Sequence, residues 1–84
     1  MKKIGILGST GSIGVQCLNL IKDYPEKFRI EFLVANSNIK KLVEQAKIFN
    51  PSYVCLLDKS KYKILKNTLH GTKILVGDDG INDL

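Results

Sequence analysis

Residues 3–14 read Lys3-Ile4-Gly5-Ile6-Leu7-Gly8-Ser9-Thr10-Gly11-Ser12-Ile13-Gly14, and the architecture follows from how this stretch is read. Lys3 to Leu7 is a short apolar run without polar alternation, the pattern of a strand buried in a parallel sheet. From about Ser12 a helical period takes over, with Gly14, Cys17, Leu18 and Ile21 on one face. It stops before Pro25, which disfavours helical geometry at Tyr24. Strand, glycine-rich turn and helix, in that order, form the setting that a dinucleotide-phosphate turn requires. Gly8 lets the chain turn sharply off the strand. Gly11 lets a pyrophosphate approach the main chain, and Gly14 lets the helix pack closely on the sheet. The first helical turn points free N–H groups and the positive end of its dipole at the phosphates, and Thr10 and Ser12 can add hydroxyl donors. The bland alternative is a glycine-rich turn that binds nothing. Its place between a first strand and an amphipathic helix favours binding. No Gly-Lys-Ser/Thr follows at the spacing of a Walker loop.

Further along the chain, Phe28 to Ala35 reads as a second strand, rich in Ile, Val and Phe. Asn36-Ser37-Asn38 is a polar turn in which Ser37 or Asn38 can cap the next helix. That helix carries Ile39, Leu42, Val43, Ala46 and Phe49 and ends at Asn50-Pro51. Tyr53 to Leu57 is a third strand. Ser60 is expected to cap a third helix with Tyr62, Leu65 and Leu69 inward, ended by Gly71. Lys73 to Val76 is a fourth strand, followed by the turn Gly77-Asp78-Asp79-Gly80 and, from Ile81 to Leu84, the start of another helix. Strands alternating with crossovers of ten or more residues predict an α/β, Rossmann-like fold: a parallel sheet with helices on both faces. Eighty-four residues make one small domain at most, and a last helix only begun at Leu84 reads as a partial domain.

The second strand separates NAD from NADP. An NAD site carries Asp or Glu about 20 residues beyond the glycines, on the ribose 2′-hydroxyl. Here the strand ends Val34-Ala35-Asn36-Ser37-Asn38, without an acid, and Lys40 and Lys41 follow. Neutral donors and nearby cations suit a 2′-phosphate, which predicts NADPH. The expected cofactor-binding set is Gly8, Ser9, Thr10, Gly11, Ser12, Ile13, Gly14, Ala35, Asn36, Ser37 and Asn38.

Composition narrows the alternatives. The net charge is +5, yet twelve of the thirteen cations are lysines and Arg29 is the only arginine. Arginine is the residue that phosphate-fork and base-edge recognition favours, and the lysines form no stripe, so a solvated surface is expected rather than a nucleic-acid interface. Cys17 and Cys55 make no C-x-x-C pair; both sit in apolar patterns and are expected to be buried, reduced thiols. No apolar run reaches the roughly 18 residues of a membrane span, and the run after Met1-Lys2-Lys3 is too short for a signal peptide. No membrane association is expected, and the cytoplasm is the default.

The seven residues Gly8 to Gly14, with the strand before them, resemble the N-terminus of the 1-deoxy-D-xylulose 5-phosphate reductoisomerase family. Pro25-Glu26, Phe28, Glu44-Gln45-Ala46, Phe49, Pro51, Tyr53-Val54, Asp58, Gly77 and Gly80 continue the likeness. It covers essentially the whole chain but only the opening part of a much longer enzyme. The resemblance implies a cytoplasmic or plastid-type homodimer using NADPH and a divalent metal, Mg²⁺ or Mn²⁺. Such an enzyme rearranges and reduces a phosphosugar, 1-deoxy-D-xylulose 5-phosphate, to 2-C-methyl-D-erythritol 4-phosphate in non-mevalonate isoprenoid synthesis. It implies that Thr10, Gly11, Ser12 and Ile13 contact the nucleotide and that Asn36 to Asn38 line its adenosine end. Many relatives have Lys or Arg at the position of Ser37, so either the NADPH preference is softened or Lys40 substitutes. No catalytic or metal residue of the family falls within the chain; those, with the catalytic and C-terminal domains, are expected beyond Leu84.

Two rival readings stay open on the residues alone: another NADP oxidoreductase, of semialdehyde-dehydrogenase or extended short-chain type, and a non-catalytic nucleotide-sensing domain. Tyr62 and Lys66 match Y-x-x-x-K, but they come too early in the chain for the short-chain catalytic pair and read as helix packing and surface. Asp78-Asp79 reads as turn chemistry. His70 is expected in the last turn of the third helix, where positive charge is favoured.

Overall fold

The computed structural model describes residues 2–77. Strands β1 (Lys2–Leu7), β2 (Phe28–Ala35), β3 (Tyr53–Leu56) and β4 (Lys73–Val76) alternate with α1 (Ser12–Lys22), α2 (Ile39–Phe49) and α3 (Tyr62–Thr68). A 3-10 turn, Lys59–Lys61, leads into α3. The turn after Gly77 and the helix expected from Ile81 lie outside the described residues, as do Asp78 and Asp79.

Every strand pair is parallel, and the order is β1-β2-β3-β4. A doubly wound sheet of the 3-2-1-4 type would place its fourth strand beside β1; here β4 pairs with β3. Successive right-handed crossovers that advance in one direction leave their helices on one face. Accordingly α1 and α2 flank a common groove lined by Leu18, Gln45 and Phe49, and α2 packs on α3. Among the described residues the three helices therefore form one layer, not the two that strand alternation predicts.

Ile6, Ile30, Leu33, Ala35, Val54 and Leu56 from the sheet meet Leu18, Leu42, Val43, Ala46 and Leu65 from the helices in one core. Each fully buried Leu, Ile or Val contributes about 1.5–3 kcal/mol by leaving water. A bulge makes this packing possible. Ile4 pairs with Ile30 but Gly5 with Phe32, so β2 carries an extra residue, Glu31. The insertion switches the alternation, so that Ile30 and then Leu33 and Ala35 reach the same core. On the other face the Phe32 ring lies over Gly5, where an added Cβ would stand 1.9 Å from it.

Three local expectations change. Ser60 does not cap α3, whose N-cap Lys61 makes no side-chain bond; Asp58 caps the 3-10 turn ahead of it, its carboxylate accepting from the Ser60 N–H at 3.0 Å. His70 falls beyond α3 and is exposed, because α3 closes at Thr68. Cys55 is buried as expected, but Cys17 is exposed. Its helix packs on β1, the outermost strand, and Cys17 hangs over that open edge beside Gly5, Ile6 and Leu7.

Candidate functional site

The glycine turn and the β2–α2 turn meet at the C-terminal edge of the sheet, where open α/β sheets bind their ligands. Leu7 pairs with Val34, and one step on, the Ser9 N–H donates to the Val34 carbonyl at 2.9 Å. The ladder thus carries the turn to the end of β2. Gly8 adopts φ +69, the left-handed region that favours glycine. The Gly11 N–H closes the turn on the Gly8 carbonyl at 3.0 Å. A Cβ on Gly14 would stand 2.3 Å from that oxygen and 2.8 Å from Ser9 Cα, so α1 can pack here only with glycine at 14.

Gly11 is the N-cap of α1. No side chain caps the helix and no acid lies in its first turn. The N–H groups of Ser12, Ile13 and Gly14 are first-turn donors without intrahelical partners. These residues line a cleft of about 630 Å³ that also takes in Gly8, Gly11 and, along β1, Gly5 to Leu7. An uncapped, acid-free helix start beside an open cleft can hold a phosphate through main-chain donors alone.

The expected residues divide by the direction they face. Ile13 is 79% exposed, and Thr10 is half-buried in the turn. Ser9 and Ala35 point inward, 0% and 1% exposed, so they shape the site through the main chain, and the Ser9 hydroxyl does not reach the surface. Asn36 and Asn38 are exposed and Ser37 half-buried. Asn38 Oδ1 caps α2 by accepting from the Lys41 N–H at 3.2 Å. A separate cavity of about 310 Å³, lined by Ile21, Pro25, Phe28 and Phe49 among others, touches none of these residues.

Two further residues reach the site. Gln45, buried on α2, donates from Nε2 to the Ser9 carbonyl at 2.7 Å. A glutamine among Leu42, Val43 and Ala46 is the one signal that could have exposed this contact. Lys61 donates from Nζ to the Ser37 carbonyl at 3.5 Å; nothing in its sequence context points there. Beside it, the Ser60 hydroxyl and then the Ser60 N–H hold the Asp58 carboxyl below its ordinary pKa, with a smaller contribution from Lys61. Tyr62 and Lys66 make a ring–ammonium contact at 5.9 Å; Tyr62 is half-buried and Lys66 exposed.

A parallel α/β sheet whose first strand runs through a three-glycine turn into an uncapped helix is the architecture of a Rossmann-type dinucleotide-binding protein. The family model for 1-deoxy-D-xylulose 5-phosphate reductoisomerase matches residues 4–84. The chain belongs to that family. It is 46% identical over 81 residues to the reductoisomerase of Thermodesulfovibrio yellowstonii, covering 96% of this chain and 21% of the relative. It is 39% identical over 88 residues to that of Crocosphaera subtropica, covering 100% of this chain and 22% of the relative. The Zymomonas mobilis reductoisomerase solved in complex with NADPH superimposes with a TM-score of 0.92 at 33% identity, over 98% of this chain and 22% of that one. A reductoisomerase complex with NADPH, fosmidomycin and magnesium gives 0.91 at 34% identity, over 96% and 21%. The chain thus spans about one-fifth of the length of the relatives it matches. The Rossmann-like parallel sheet with flanking helices, and the family read from Gly8 to Gly14, are borne out.

Proposed function

We propose that residues 1–84 form the opening part of the NADPH-binding domain of a reductoisomerase. That enzyme converts 1-deoxy-D-xylulose 5-phosphate to 2-C-methyl-D-erythritol 4-phosphate in isoprenoid synthesis. The observation that carries this reading is the Gly8–Gly14 turn, in which Gly14 fits only without a Cβ and α1 starts without a cap or an acid. Relatives solved with NADPH and magnesium support it. In this reading the main-chain donors of Ser12, Ile13 and Gly14 hold the pyrophosphate, and Asn36, Ser37 and Asn38 border the adenosine ribose. NADPH supplies the hydride. The chain's own part is to place the cofactor and fix its register at the sheet edge.

Among the described residues no group of three His, Cys, Asp or Glu could hold a metal ion. We assign Mg²⁺ or Mn²⁺, the phosphosugar and the catalytic groups to sequence outside residues 1–84. No helix among the described residues is long and apolar enough to cross a membrane. A cytoplasmic or plastid-type homodimer is the setting we propose.

The test is NADPH consumption by the intact protein, followed by absorbance. Oxidation that requires both the pentulose phosphate and Mg²⁺ or Mn²⁺ is expected. Tight NADPH binding with no turnover of this substrate would instead support another NADP oxidoreductase, and no cofactor binding would refute the reading.

A further inference from the structure

The β2–α2 turn lacks a cation of its own, because Ser37 stands at its centre. The structure brings one from the next connection. Beyond the ends of β2 and β3 the ladder continues: the Leu57 N–H donates to the Ala35 carbonyl and the Asp58 N–H to the Asn36 carbonyl, both at 2.9 Å. The 3-10 turn therefore starts beside Asn36. Asp58 secures it through the Ser60 N–H, and the Lys61 N–H returns to the Asp58 carbonyl at 3.2 Å. From this fixed base the half-buried Lys61 side chain crosses to the Ser37 carbonyl, with Nζ at 3.5 Å. That bond is long, and the same carbonyl already accepts the Ile39 N–H at 2.9 Å. The ammonium's hydrogen-bond acceptor at the turn is thus weak and neutral, and the Asp58 carboxylate adds only a minor attraction, so that the ammonium can leave at small cost for an anion.

We propose that Lys61 is a specificity-determining residue, whose ammonium binds a phosphate monoester at the β2–α2 turn: the 2′-phosphate that distinguishes NADPH from NADH. The assignment rests on the NADPH reading above and makes it specific. It differs from the expectation that Lys40 substitutes at Ser37. Lys40 is an exposed residue of α2, whereas Lys61 arrives from another βα connection with its Nζ already at the turn.

The experiment is calorimetric titration of the intact protein with NADPH and with NADH, comparing the parent with Lys61→Met, Lys61→Arg and Lys40→Met. A charge-assisted hydrogen bond at a half-buried site predicts about tenfold weaker NADPH binding for Lys61→Met. NADH binding stays unchanged, Lys61→Arg keeps the preference, and Lys40→Met loses less. The Lys61→Met effect shrinks as salt is raised. A Lys61→Met protein that keeps the full NADPH-over-NADH ratio, or that loses both cofactors equally, overturns the assignment and leaves NADPH binding standing. A parent protein with no preference overturns the NADPH reading and Lys61 together.

Discussion

At the scale of single residues, the three glycines of the turn do different work. A Cβ on Gly14 collides with the Gly8 carbonyl, whereas one on Gly11 lies 3.4 Å from the same atom on a backbone with φ −78. The two substitutions should therefore separate folding from binding. Gly14→Ala must push α1 off the turn and is expected to cost about 1–3 kcal/mol of stability, as overpacking does. Gly11→Ala should cost less, about 0.5–1 kcal/mol, because alanine is a poorer N-cap than glycine, yet weaken NADPH binding if the pyrophosphate approaches the main chain there. Thermal melts paired with cofactor titrations check both. Equal stability losses, or full NADPH affinity in Gly11→Ala, would contradict this division of roles between the two glycines.

At the scale of elements, the site is held by segments distant in sequence. Ser9 is tied to β2 through its N–H and to α2 through its carbonyl, which takes the Gln45 amide. Ser9 Oγ and Gln45 Oε1 are buried without partners among the described residues, so this contact already carries two unsatisfied atoms. Gln45→Met keeps the length and helix preference of the side chain and removes the donor. We expect it to destabilise the protein by about 1–3 kcal/mol, because a buried carbonyl is left unpaired, and to loosen the glycine turn. Unchanged melting and unchanged NADPH affinity would show that Gln45 only fills space. The elements themselves were largely legible in the sequence, since local signals set them: Gly8 after an apolar run, Pro25, Asn50-Pro51, and the β-rich stretches at 28 and 73. What escaped was decided by distant partners. The bulge at Glu31 depends on register against β1. The exposure of Cys17 depends on β1 standing at the edge of the sheet among the described residues. The reach of Gln45 and Lys61 depends on crossovers that side-chain periodicity does not encode. Ser60 does not cap α3 because it lies inside a 3-10 turn, capped by Asp58, that precedes the helix, a boundary too short for periodicity to register.

At the scale of the whole molecule, the four parallel strands among the described residues advance in one direction and leave β1 at one edge of this sheet, with the glycine turn at its C-terminal end. Leu7 and Ile13 beside that edge are 68% and 79% exposed. Family membership is legible in seven consecutive residues because a phosphate turn is specified locally, by glycine geometry and helix polarity. In the function proposed above, substrate and metal chemistry come from residues outside this segment, and no local pattern within it is expected to carry them. If the start of α1 receives the pyrophosphate of NADPH, its amides must sense the cofactor. Amide chemical-shift mapping by NMR, during an NADPH titration of the isotopically labelled protein, reads this residue by residue. The largest changes are expected on Ser12, Ile13 and Gly14, with a second group at Ser37, Asn38 and Lys61. Changes centred instead on Ile21, Phe28 and Phe49 around the 310 Å³ cavity, or none in a folded protein, would contradict binding at the glycine turn.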